Sequence, residues 1–175
     1  MILKTEETVK SDSRRKRFIK KLISPLLAIV ITWLLSHVFL LIMIVPTESM
    51  EPAIKAQSLC FGLRTAYWFD RPERGDLVVF RHKESGVLMV KRLIGLPGDR
   101  IELKGQKLLL NGKEYPEPYL KEAAEYRDAV FEVPEGHFLF LGDNRNASCD
   151  ARYWKNPYIP ADDLIAKTLT GLSVR

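Results

Sequence analysis

From Leu22 to Val45 the chain carries no charged residue over 24 positions, whereas beyond Pro46 its apolar stretches are short and set between turn residues. A helix of 24 residues is about 36 Å long at about 1.5 Å per residue, enough to cross a hydrocarbon layer of about 30 Å with some tilt. Pro25 falls in the first turn, where its missing N–H costs little. A cleaved leader would have an apolar core of about 7–15 residues and a small-x-small exit site. Phe39–Val45 offers no such site. The pattern predicts a retained transmembrane helix over 22–45.

After the apolar run the period shortens. Gln57–Leu63, Leu77–Phe80, Val87–Ile94, Ile101–Lys104, Lys107–Leu110, Phe131–Val133, His137–Leu141 and Leu164–Leu169 are strand candidates, separated by signals such as Arg74-Gly75-Asp76, Gly95-Leu96-Pro97-Gly98-Asp99 and Asn111-Gly112. Residues 105–130, rich in Pro, Glu, Lys and Ala after Asn111-Gly112, are expected to be a small insertion or lid with one helical turn. Many short strands with little helical periodicity predict a mainly β, antiparallel domain over 46–175.

Charge orients the chain. Residues 1–21 hold eight Lys or Arg against three acids, which accounts for the whole formal net charge of +5; the remainder is balanced. Only Lys55 and Arg64 are basic in the twenty residues after Val45. The positive-inside bias then leaves a basic cytoplasmic tail (1–21) and sends 46–175 across the membrane. A folded part without a basic excess argues against nucleic-acid binding. Cys60 and Cys149 form no C-x-x-C pair, and the three histidines have no metal-ligand spacing, so free thiols, no metal and no cofactor are expected.

Two positions invite chemistry. Pro46-Thr47-Glu48-Ser49-Met50-Glu51-Pro52 brackets a serine between prolines at the end of the apolar run, a rigid turn that holds a hydroxyl at a fixed height above a bilayer. By itself it is equally a proline-punctuated exit from the helix. Lys91 interrupts an apolar strand, and alternation sends it and Arg92 to opposite faces, so one of them points to the apolar side. A desolvated lysine can lose enough basicity to serve as a general base, although a snorkelling lysine has the same local pattern. G-x-S-x-G is absent and neither His82 nor His137 lies in a triad-like motif, although both stay open as partners in space; serine paired with a desolvated lysine is the alternative nucleophile–base arrangement. Gly142–Trp154 packs Asp143, Arg145, Ser148, Asp150 and Arg152 into one charge-laced loop.

Taken together, the 46–52 turn, Arg74–Phe80, Val90–Asp99 and Gly142–Arg152 resemble, in order, the four signature boxes of bacterial type I signal peptidases, membrane-bound serine–lysine endopeptidases. The resemblance covers nearly the whole chain. It implies a signal-peptidase/LexA-like antiparallel β catalytic domain, with Ser49 as nucleophile, Lys91 as general base, and Thr47 with the Ser49 N–H as oxyanion donors. Ser148 would hydrogen-bond the lysine, and Asp143, Arg145, Asp150 and Arg152 would support it. Substrate would lie extended against Val45, Pro46, Met50, Ile54 and Leu88–Met89–Val90 by strand addition. The implied partners are exported preproteins with signal peptides and the lipid bilayer, the chain being a monomer in the bacterial cytoplasmic membrane with its catalytic domain outside. The sequence departs from the common pattern at Glu48, Met89 and Ala151, where glycine, tyrosine and serine are common. A LexA-like self-cleaving regulator would be cytosolic and would cut itself at an Ala-Gly bond, and this chain has no Ala-Gly pair. The remaining alternative, a non-catalytic bitopic β module, would not need Ser49, Lys91 and Ser148 together.

Overall fold

The computed structural model describes residues 3–169. It divides into two units, Met1–Phe39 and Leu40–Arg175. The first is one helix, α1 (Leu3–Phe39), with Pro25 inside it. Trp33 and His37, one turn apart, bring their rings to 4.7 Å. Leu26, Ile29 and Trp33 are each more than half exposed. Among the described residues no helix is long and apolar enough to cross a membrane. The uncharged helical part, Leu22–Phe39, is about 27 Å long at about 1.5 Å per residue.

The helix predicted through Val45 therefore ends six residues early, and Leu40–Val45 is a strand, β1. The apolar run hid two structures because a charge-free stretch reads alike as buried helix or buried strand. What decides is pairing: β1 runs antiparallel to β2 (Ser58–Leu63), from Leu40 opposite Leu63 to Val45 opposite Ser58. Period-2 alternation then buries Leu41 and Val45 while Leu40, Ile42 and Ile44 face outward. The β unit begins at Leu40, not at Pro46.

Two antiparallel sheets follow. The larger has seven strands in the order β1-β2-β11-β3-β4-β9-β10, with β3 Leu77–His82, β4 Val87–Gly95, β9 His137–Leu141, β10 Tyr158–Pro160 and β11 Leu164–Thr168. The C-terminal β11 inserts between β2 and β3, locking the edge that carries β1 onto the sheet centre. Beneath it Leu41, Val45, Met50, Ile54, Cys60, Val79 and Val90 form one apolar cluster. Burying side chains of this size contributes roughly 1.5–3 kcal/mol each.

The smaller sheet is β7-β6-β5-β8, from β5 Arg100–Gly105, β6 Lys107–Leu110, β7 Lys113–Glu114 and β8 Tyr126–Glu132. Asn111 and Gly112 both have positive φ, 51° and 78°, as the tight turn between β6 and β7 requires. The stretch 105–130, expected as an insertion or lid, supplies three of these four strands; its alternation is weak because much of β7 and β8 is exposed. Apart from the turns at Gln106 and Asn111-Gly112, the loop 115–125 is what lies outside them, and it contains no helix. A four-residue helix, α2 (Ala66–Phe69), follows β2 with Trp68 and Phe69 largely exposed. Cys60 is buried, Cys149 is exposed, and both are free thiols.

Candidate active site

Three segments converge. Beyond β1 the chain passes Pro46 and Thr47 into a single 3-10 turn, Glu48–Met50, which turns Ser49 inward until it is buried. On β4, Lys91 pairs with Val78 of β3 and is 4% exposed, while Arg92 points to the other face. The third segment is the turn after β9, Gly142–Arg152.

The Lys91 Nζ lies 2.6 Å from Ser49 Oγ and 3.2 Å from Ser148 Oγ. Thr47 Oγ1 is 3.1 Å from Ser49 Oγ on the side of the chain entry. Burial is the largest influence on the amine and holds its pKa below the ordinary lysine value; Asp150, Cys149 and Asp143 oppose this and Arg152 adds to it. A buried amine against two hydroxyls can take a proton from one and donate to the other, which is what a general base next to a nucleophile must do.

The surrounding charges hold this pair in place. Arg92 grips Asp143 bidentately, at 2.7 and 2.6 Å, and also donates to Gly75 O. Arg152 donates to both oxygens of the fully buried Asp150, which accepts from Gly142 N. Arg145 Nε donates to Gly142 O. The Gly142 Cα faces the pair directly: a Cβ there would lie 2.1 Å from Ser148 Oγ and 2.6 Å from Ser49 O, so no side chain fits. Asn144 N donates to Ser49 O, so one turn touches both the serine backbone and the lysine's second hydroxyl.

A cleft of about 310 Å³ opens onto Ser49 and Lys91; it is lined by Val45, Pro46, Leu88, Met89 and Val90, which the resemblance names as substrate contacts, and by Thr47, which it names as an oxyanion donor. It is also lined by Met43, Val87, Ala147 and Cys149, which sequence reasoning missed; the first two follow from the alternation of β1 and β4 once those strands are known. Met50 and Ile54 do not line it. Both are buried in the cluster beneath the sheet, because the 3-10 turn sends Ser49 and Met50 to different sides. Arg92 was also missed, since its value lies in Asp143, a partner 51 positions away.

Residues 15–171 match the family described as signal peptidase, peptidase S26. The chain belongs to this family of serine endopeptidases. It is 34% identical to the signal peptidase I of Bacillus licheniformis over 158 residues, 85% of this chain and 84% of that one. With signal peptidase I U of Bacillus subtilis (strain 168) it shares 34% over 166 residues, 89% and 88% of the two chains. The signal peptidase I of Leptolyngbya laminosa is 33% identical over 71% of this chain, and there the match spans 64% of the relative. Among solved structures, a signal peptidase I from Enterococcus faecalis V583 superposes with a TM-score of 0.50 at 30% identity, covering 56% of this chain and 97% of that one. The antiparallel β unit is thus the fold of signal peptidase I.

Proposed function

We propose that the chain removes N-terminal signal peptides from exported preproteins by acyl transfer through Ser49 and Lys91. The observation that carries this reading is the 2.6 Å approach of a buried amine to a buried hydroxyl. Neutral Lys91 accepts the Ser49 Oγ proton as the oxygen attacks the scissile carbonyl. The Ser49 N–H and Thr47 hydroxyl donate to the oxyanion; one such donor is typically worth about 10²–10³ in rate. Lys91 then gives its proton to the leaving amine, which departs as the new N-terminus. It next takes a proton from the water that attacks the ester, and returns it to Ser49 Oγ as the cleaved signal peptide leaves. Ser148 orients the amine. Substrate lies extended between β1 and β4, with Val45, Leu88 and Val90 offering shallow apolar walls to small side chains.

We also place the enzyme at the membrane as a monomer, with its basic end cytoplasmic. Support comes from the exposed apolar helix side chains and from an outward sheet face of Leu40, Ile42, Ile44 and Leu59. The helical stretch of about 27 Å falls about 3 Å short of a typical hydrocarbon core, a mismatch that local thinning and the lysine stems at its start absorb. The test is direct: Ser49→Ala and Lys91→Ala should each abolish cleavage of a preprotein in detergent with unchanged circular dichroism. Full activity in either variant overturns the reading.

A further inference from the structure

We propose that Glu117, on the loop between β7 and β8, is a positioning residue for the serine–lysine pair, acting through Arg145 and the Gly142–Asn144 turn. The inference rests on the serine–lysine reading above.

Glu117 is an acid whose side chain is nearly closed off from solvent, 8% exposed; of its partners Arg145 and Tyr126 are buried and Tyr119 is half-buried. Its Oε1 meets Arg145 Nη2 at 2.6 Å and accepts from Tyr119 OH at 2.8 Å; Oε2 accepts from Tyr126 OH at 2.7 Å. Arg145 also donates to both tyrosine hydroxyls, so the guanidinium is enclosed by one carboxylate and two phenols. The Tyr119 ring carries the Arg92 guanidinium on its face at 4.0 Å, and Arg92 is the residue that grips Asp143. A second rivet joins the same two segments: Asn146 accepts from Glu125 N and donates to Ala123 O and Glu122.

Arg145 in turn holds Gly142 O, and Gly142 is the residue with no room between Ser148 and Ser49. The loop 115–125 is therefore a buttress behind the turn, not a cover over the cleft. A buried guanidinium deprived of its carboxylate cannot stay where it is without a large penalty. It would swing toward water and draw Gly142 with it, opening the pocket around the amine. Facing Lys91, the titratable and charged groups are Asp143, Cys149, Asp150 and Arg152 of the turn segment; β3 presents Val78, and the 46–50 turn presents the Thr47 and Ser49 hydroxyls. Since burial is the main force lowering the lysine pKa, wetting the amine would raise it.

The experiment measures kcat and KM across pH for the full chain in detergent, on a preprotein with a cleavable signal peptide. Wild type is compared with Glu117→Gln and with Tyr119→Phe, a milder change that removes one hydroxyl and keeps the ring under Arg92. Expected for Glu117→Gln is a kcat loss of roughly tenfold with KM within about twofold, and an acid limb of the kcat profile displaced to higher pH. Tyr119→Phe should move both in the same direction by less. If Glu117→Gln does not fold, Tyr119→Phe decides alone. An unmoved acid limb, or a kcat loss that merely follows a falling melting temperature, overturns the proposal. Ser49→Ala and Lys91→Ala run beside them: their inactivity with Glu117→Gln unaffected rejects Glu117 alone, and their activity rejects the reading beneath it.

Discussion

An ammonium enclosed at 4% exposure is an expensive thing to fold, and Lys91 shows where that cost falls. The folded pKa is lowered, so between the folded and unfolded values the unfolded chain binds more protons and stability rises with pH. Below the folded value the full penalty is present; it fades only as pH climbs toward the ordinary lysine value. On the proposed serine–lysine mechanism, replacing the amine with an uncharged chain of similar length should remove the penalty and the activity together, which is the trade expected where function strains a fold. Lys91→Met should therefore be inactive, and its melting temperature relative to wild type should be highest near neutrality and decline as pH rises toward 10. The comparison is made on the difference between the two proteins, so other titrations cancel. A difference that stays flat from pH 7 to pH 10 would mean that the amine is not desolvated.

Among the elements, β1 is the hardest to read, and it supplies Met43 and Val45 to the wall of the cleft. Its sequence, Leu-Leu-Ile-Met-Ile-Val, continues the helix's apolar composition without a break, and the signal that separates them is a partner strand thirteen or more residues on. The meeting of Ser49, Lys91 and Ser148 was legible because four ordered boxes together carry the family resemblance, whereas no one of their local patterns did so alone. Arg92's hold on Asp143, the carboxylate of Glu117 and the strands inside 105–130 were not, because each acquires meaning from a residue far along the chain. Once β1 is seen as a strand its outward face becomes a prediction. Ile42 and Ile44 are exposed, so Ile42→Asp with Ile44→Asp should change stability by about 0.5 kcal/mol or less per site. Cleavage of a short peptide in detergent should persist within about twofold, while cleavage of a preprotein embedded in vesicles should fall at least fivefold, because on the proposed membrane placement charge on this face is repelled from the bilayer. Equal losses in both assays would take this face out of the membrane.

At the scale of the whole molecule the boundary between helix and β unit becomes a question of what the catalytic part needs in order to fold. The apolar run alone suggests cutting at Pro46; the structure puts the division at Phe39. The six residues between contribute Leu41 and Val45 to the cluster under the sheet, and Met43 and Val45 to the wall of the cleft. Losing those two buried side chains removes roughly 3–6 kcal/mol, a large share of the 5–15 kcal/mol that typically holds a domain together. It also leaves β2 as a raw edge with its hydrogen-bonding groups unpaired. A fragment of residues 40–175 should be monomeric in mild detergent, melt cooperatively and cleave a signal-peptide substrate. One of residues 46–175 should aggregate or melt at least ten degrees lower, with cleavage reduced at least a hundredfold. If the shorter fragment matched the longer in melting temperature and rate, β1 would be an ornament of the fold, and the substrate's proposed seat between β1 and β4 would have lost one of its two walls without consequence.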